Sequence, residues 1–221
     1  MKTPLTRERF RHHLHYGWWK YALMAICVLV AVNLLFTTTR YRAPDALRVD
    51  VFVCASGADQ QALQDYLDTA HEILLPDMEE VNCVVMLTND GSDPYSAMQL
   101  STYLMAGEGD IYLLSESDFH GYAAQGAMLN LDPYLASGDL DTADVDLRKG
   151  TISYREEEDA PLLSHLFGIP TDDLFGFWNF NIDNRGMVLC VSVANGNDDN
   201  VVKLLSYMVH TLLMPMPGGS E

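Results

Sequence analysis

Hydrophobic and polar positions divide this chain into two regimes. Residues 18–36 (WWKYALMAICVLVAVNLLF) are apolar on every face, interrupted only by Lys20 near the leading edge and Asn33. At 1.5 Å rise per residue such a stretch reaches about 28 Å, close to the hydrocarbon thickness of a bilayer. It predicts a transmembrane helix, because a helix that is greasy all round has no polar face to turn toward water. Leu, Ile and Val each favour insertion by roughly 0.3–0.6 kcal/mol, which together outweigh the amide of Asn33.

Beyond residue 47 the period changes and then alternates. VDVFVC (49–54), VNCVVML (81–87) and DIYLL (110–114) are short, nearly continuous apolar runs, the mark of strands buried on both faces. Between the first two, Leu63, Tyr66, Leu67, Ala70, Ile73 and Leu74 recur at helical spacing. Asp93-Pro94 opens a second helix, as an N-cap with proline at the first position, and Gly107 closes it. Ser115 and Asp118 have capping-box spacing ahead of a third helix. The βαβαβα order predicts an α/β fold: a mostly parallel sheet with helices on both faces, three layers in all, plus the amino-terminal transmembrane helix. A polar, loop-rich excursion is expected over 132–161. Strands are expected to resume at LFGFWNF (174–180) and GMVLCVSV (186–193), joined by a turn at Asp183-Asn184-Arg185-Gly186. Asn197 or Asp198 caps a last helix whose Val201, Val202, Leu205, Met208, Val209 and Leu212 form one apolar stripe.

Charge then orients the molecule. Residues 1–42 hold seven Lys/Arg and one acid, whereas 43–221 hold six Lys/Arg and thirty Asp/Glu, net −24. The positive-inside rule keeps residues 1–17 in the cytoplasm and places the rest outside. No Ala-x-Ala site follows residue 36, which argues for an uncleaved anchor and against a secretory signal; Cys27, preceded by Ile26, does not fit a lipoprotein signal. The expected organisation is a cytoplasmic tail (1–17), a transmembrane helix (18–36), a linker (37–47), an extracytoplasmic α/β domain (48–214) and a flexible tail (215–221). The expected location is the cell membrane, single-pass, with the bilayer as a partner through residues 18–36. So acidic a domain repels nucleic acid, which is not a partner. Cys54, Cys83 and Cys190 each lie within an apolar run and read as buried thiols; a Cys54–Cys83 bridge is the alternative.

One stretch resembles a known family. Residues 107–135 (GEGDIYLLSESDFHGYAAQGAMLNLDPYL) carry a glycine-rich turn, an aspartate, a strand and a helix ending in Ala123, Gly126, Leu129, Leu131 and Tyr134. This is similar to the first lobe of extracellular solute-binding proteins, the sugar-type receptors of ABC importers. Phe167-Gly168-Ile169-Pro170 resembles the family's Tyr-Gly-Ile-Pro segment near the hinge. The resemblance implies a binding module in place of an enzyme, a carbohydrate or other small solute as ligand, and an ABC permease or other membrane protein as partner. The family follows its hinge segment with a second lobe, whereas 51 residues follow Pro170 here. The clamp of two lobes is therefore not expected.

Candidate chemistry is sparse. No Gly-x-Ser-x-Gly elbow, HExxH helix, P-loop or GxGxxG occurs, so no catalytic residue, cofactor or metal is expected. The acids Asp139, Asp141, Asp144 and Asp146 lack the glycine and glutamate that a calcium loop of the EF-hand type needs. His12, His13 and His15 read as part of a basic segment facing lipid headgroups. In an open α/β sheet ligands bind beyond the carboxyl ends of the strands. The expected ligand residues are accordingly Ser56 and Gly57 after the first strand, Asp93 and Tyr95 after the second, and Ser115 and Asp118 after the third, with Trp178 as a stacking ring. A protein-interaction or assembly subunit at the cell surface, without a small ligand, is the alternative function.

Overall fold

The computed structural model describes residues 7–39, 43–88, 94–154, 163–193 and 196–213, except the side chains of 7–16 and 38–39. Asp93, the acidic run 156–159, Asn195 and the tail 215–221 lie outside the described residues. So do the side chains of His12, His13 and His15. The chain separates into two units, 1–42 and 43–221.

The first unit is one helix, α1 (Arg7–Thr39). Its Gly17–Thr37 stretch is long and apolar enough to cross a membrane. The large side chains from Trp18 to Phe36 are exposed all round, as expected of a helix whose apolar surface has no partner within its own unit.

The second unit is a three-layer α/β domain. Its elements are β1 (Arg48–Ala55), α2 (Gln60–Leu74), β2 (Glu80–Leu87), α3 (Pro94–Ala106), β3 (Ile111–Ser115), α4 (Glu116–Ala124), α5 (Asp132–Ser137), β4 (Thr151–Tyr154), β5 (Leu163–Leu166), β6 (Gly168–Pro170), β7 (Met187–Val191) and α6 (Asp198–Leu212). The main sheet runs β2-β1-β3-β7-β6. β1 pairs in parallel with β2 and β3, and β7 runs antiparallel to both its neighbours, so four of five strands point the same way. β4 and β5 form a separate hairpin.

Alternation along the strands divides the core in two. Val49, Val51, Val53, Ile111, Leu113, Leu189 and Val191 face the layer of α2 and α6, meeting Leu63, Leu67, Leu205 and Met208. Phe52, Cys54, Tyr112, Leu114, Val188 and Cys190 face the other way, toward Leu100 of α3 and Phe119 and Ala123 of α4. β1 is buried over its full length, which is why Val51–Ala55 reads as a continuous apolar run with no polar face, and why the charged Arg48 and Asp50 at its start pair with each other at 2.7 Å. Each fully buried leucine or valine contributes roughly 1.5–3 kcal/mol of burial.

Local devices fix the ends. Ser115 caps α4, its Oγ accepting from Asp118 N–H, and Gly126 ends the helix region at φ +76°, in the left-handed region where a Cβ is costly. Asp110 braces the start of β3: its Oδ2 accepts from Asp50 N–H at 2.7 Å. The sheet's β2 edge is covered by side chains of α2. Gln64 donates to Val81 O at 2.8 Å and accepts from Cys83 N–H at 2.7 Å, while Gln60 donates to Cys83 O. Pro170 sits on the opposite edge strand, where its missing N–H costs nothing to the ladder.

Two expectations change, and the alternative of a Cys54–Cys83 bridge falls away. Residues 174–180 are not a strand but a 3-10 helix, Phe175–Phe180, because Phe177 and Phe180 are buried while Phe175 and Trp178 point out, a spacing of three and not two. The excursion after residue 132 is more ordered than its polarity suggests, holding α5, a 3-10 turn at Leu147–Gly150 and β4. Cys54 and Cys83 are free thiols belonging to opposite faces of the sheet, since Cys83 is opposite Val51 and Cys54 opposite Met86. Burial pushes both thiols up to about 12, and Cys190 is raised as well.

Candidate functional site

Strand direction brings the loops after β1, β2 and β3 to one end of the domain, and the segment between β6 and β7 crosses the same end. That segment, 171–186, is tied shut at its base. Thr171 Oγ1 donates to Asn184 O at 2.7 Å and Met187 O at 3.1 Å. Gly186 N–H donates to Asp172 Oδ1 at 2.8 Å, and Lys149 Nζ reaches Asp172 Oδ2 at 2.9 Å and Glu116 at 3.6 Å. Burial opposes ionisation of Asp172, but the Gly186 N–H and Lys149 outweigh it and hold the carboxyl below its usual range. The chain thus leaves β6, makes one 3-10 helix and returns directly into β7.

A cleft of about 500 Å³ opens between that segment and the β1 loop, lined by Ser56, Gly57, Trp178, Asn181, Ile182, Asp183 and Arg185. The size suits a small organic ligand. Asp59 N–H donates to Phe180 O at 2.7 Å, which fixes the β1 loop to the 3-10 helix and sets the width of the opening. A Cβ on Gly57 would lie 3.6 Å from Asn181, in ordinary van der Waals contact, so a side chain there would pack against the end of the 3-10 helix and take up room in the cleft. Asn181 ends the 3-10 helix at φ +56°, a conformation asparagine tolerates better than most residues.

Asp183 and Arg185 form a bidentate pair, with Nε to Oδ1 at 2.8 Å and Nη2 to Oδ2 at 2.6 Å. Hydrogen bonds from the Arg185 side chain and backbone pull the Asp183 carboxyl down to about 2, so it stays ionised and has no proton to give near neutrality. Trp178 stands more than half exposed on the rim, its Nε1–H donating to Asn184 Oδ1 at 2.8 Å and its ring meeting Phe175 edge-on at 5.6 Å.

Of the expected ligand residues, Ser56, Gly57 and Trp178 come together in this cleft. Ser115 and Asp118 are engaged with one another, Ser115 Oγ donating to Asp118 Oδ2 at 2.7 Å, and do not line it. Tyr95 is exposed in the first turn of α3, also away from the lining. Asp93 lies outside the described residues. Asn181, Ile182, Asp183 and Arg185 were not anticipated as ligand residues. Reading 174–180 as a strand put these positions in a hairpin turn; the spacing of Phe177 and Phe180 is the signal that would have moved them to a helix end.

No protein-family model matches the sequence, and no curated protein is significantly similar to it. Among solved structures, the chain is similar to an extracellular solute-binding protein of family 1 from Alicyclobacillus acidocaldarius (18% identity, TM-score 0.38, 58% of this chain and 29% of that one). It is also similar to an ABC substrate-binding protein from Listeria monocytogenes in complex with cycloalternan (18% identity, TM-score 0.39, 55% and 28%). A third is an ABC transporter solute-binding protein from Agrobacterium vitis with bound D-mannitol (17% identity, TM-score 0.38, 62% and 32%). This chain spans about a third or less of the length of these proteins. All three are described as solute- or substrate-binding proteins, matched over part of one chain by part of the other.

Proposed function

We propose that this protein is a membrane-anchored, extracytoplasmic binding module that holds a small solute in the cleft beside Trp178 without catalysing its conversion. The observation that carries this reading is the cleft itself: a ligand-sized space at the carboxyl ends of the parallel strands, with one exposed ring, one glycine that leaves room beside Asn181 and fixed polar groups. A carbohydrate suits such a site, since an indole face packs on the apolar face of a sugar while Ser56 and Asn181 supply hydrogen-bonding groups. Binding without chemistry is supported by the state of its ionisable groups. The carboxylate at the cleft is held ionised by its arginine, and no histidine, lysine or cysteine is among the lining residues.

Anchoring rests on the apolar Gly17–Thr37 stretch, and orientation on the contrast between the basic first 42 residues and the acidic remainder. An ABC permease or other membrane protein is then the natural recipient of the solute. Because 171–186 returns straight into β7, binding proceeds on a preformed surface and not by closure of two lobes. Thermal-shift measurements on the full chain in detergent test the reading, using oligosaccharides from maltose to maltotetraose, trialanine and calcium chloride. A saturable rise in Tm with one class, lost on Trp178→Ala, is expected; no shift with any of them contradicts it.

One observation favours the second reading, a protein-interaction or assembly subunit. Leu87, Tyr95, Phe175 and Trp178 are all exposed, at 64%, 66%, 44% and 58%, and all occur in segments that reach the cleft end of the domain. Apolar surface of that kind also suits a protein partner. Absence of solute shifts together with stoichiometric capture of a membrane partner through Trp178 would favour it.

A further inference from the structure

Trp178 combines two properties that rarely meet: its ring is largely solvent-exposed, yet its N–H is bonded to a side chain with no exposure at all. The buried partner, Asn184, has little freedom. Its Nδ2 donates to Thr171 O and, at 3.2 Å, to Leu174 O. Both carbonyls also accept from backbone N–H groups, of Leu174 and Phe177, and can only accept, while Trp178 Nε1–H can only donate, so one orientation of the amide is compatible with all three partners. Flipping it would set oxygen against two carbonyls and N–H against N–H. Thr171 Oγ1 donates to Asn184 O and so holds the backbone of the same residue.

We infer that Asn184 is the positioning residue of the cleft, holding the Trp178 indole as a fixed aromatic wall before any ligand arrives. An exposed tryptophan ordinarily samples rotamers on the picosecond to nanosecond scale. Here the indole edge is pinned by Asn184 and flanked edge-on by Phe175. A wall already in place spares the ligand the cost of ordering that side chain, on the order of 2- to 10-fold in affinity. The affinity consequence rests on the solute-binding reading of the cleft; the immobility of the ring does not.

The test uses the full chain in detergent micelles with Trp18→Phe and Trp19→Phe, which leaves Trp178 as its one indole. Three ligand-free readouts apply: exchange of the indole N–H by NMR, fluorescence anisotropy, and quenching by iodide. The expected results are a single indole N–H exchanging on the order of tenfold slower than free indole, and high anisotropy. Asn184→Leu should collapse both. Asp172→Asn, which loosens the base of the same segment at Gly186 and Lys149 without touching Asn184 or the indole, should lower Tm and leave both in place. An indole N–H exchanging at the free rate in the chain with Asn184 intact overturns the inference, whether or not the leucine variant folds. So does a folded Asn184→Leu with unchanged anisotropy, or an Asp172→Asn that loosens the ring equally. A protected indole without any solute binding would sink the solute reading and uphold this one. A free indole beside saturable maltotriose binding would do the reverse.

Discussion

Gln64 offers the sharpest test of the sheet's construction. Its amide occupies the outer edge of β2 as another strand would, donating to Val81 O at 2.8 Å and accepting from Cys83 N–H at 2.7 Å. Gln64→Leu keeps helix propensity and adds no bulk, but leaves both backbone groups to find water at a half-covered edge. At about 0.5–1.5 kcal/mol per net hydrogen bond, the loss is about 1–3 kcal/mol. In a domain of this size that corresponds to roughly 2–12 °C in Tm. Gln61→Leu is the matched control. That side chain lies on the same helix, is exposed and bonds only Asp65, so its replacement should stay within about 0.5 kcal/mol. Urea denaturation of both variants, followed by Trp178 emission in the Trp18→Phe, Trp19→Phe background, gives the comparison. Size-exclusion chromatography should also show Gln64→Leu self-associating as concentration rises, because a bare parallel edge invites pairing. Equal stability of the two variants would refute the assignment of Gln64 as the cover of that edge.

Three further outcomes are expected. In a Cys27→Ser chain the thiols of Cys54, Cys83 and Cys190 should resist maleimide at about pH 8, where burial keeps them protonated, and all three should react once the domain is unfolded; fast native labelling would contradict their placement. Asp172 has a lowered folded pKa, so its contribution is fully present above the unfolded value of about 3.9 and is lost as pH falls through the folded one. Asp172→Asn should therefore lower Tm near pH 6, modestly because the Lys149 pair is exposed and screened, and the gap should narrow toward pH 3. On intact cells, with Cys27→Ser, an impermeant maleimide should label Ala136→Cys on the exposed surface of α5 and spare Thr3→Cys; the opposite pattern would reverse the topology.

Much of the fold is legible because burial dictates the pattern. β1 lies inside three layers, so its positions from Val51 to Ala55 are all apolar, and α2 and α6 each keep one stripe for the sheet. The capping of α4 by Ser115 and the left-handed Gly126 are equally local, decided within a few residues. Two features depend on distant partners. Residues 174–180 satisfy strand propensity as aromatic, apolar sequence, but Phe177 and Phe180 are drawn into the core beneath the α2–α6 layer, and a helical turn delivers them. β7 runs against its neighbours because the return from β6 spends its residues on a 3-10 helix at one end of the sheet and never recrosses it, and composition does not encode direction. The cleft was half visible for the same reason. Ser56 and Gly57 follow from where a parallel strand ends, whereas Asn181, Asp183 and Arg185 follow from the 3-10 helix. Ser115 and Asp118 sit where expected, yet spend their polar groups on capping one another's turn.

The central claim is that a cleft beside Trp178 binds a small solute on a preformed surface. Its most direct test is a titration of Trp178 emission in the full chain carrying Trp18→Phe and Trp19→Phe, with maltose through maltotetraose as ligands. The account predicts a saturable change that is abolished when Gly57→Phe fills the cleft and that leaves the hydrodynamic radius unaltered. A chain that unfolds normally but shows no saturable change with any of these sugars, or the same change in Gly57→Phe, would contradict it.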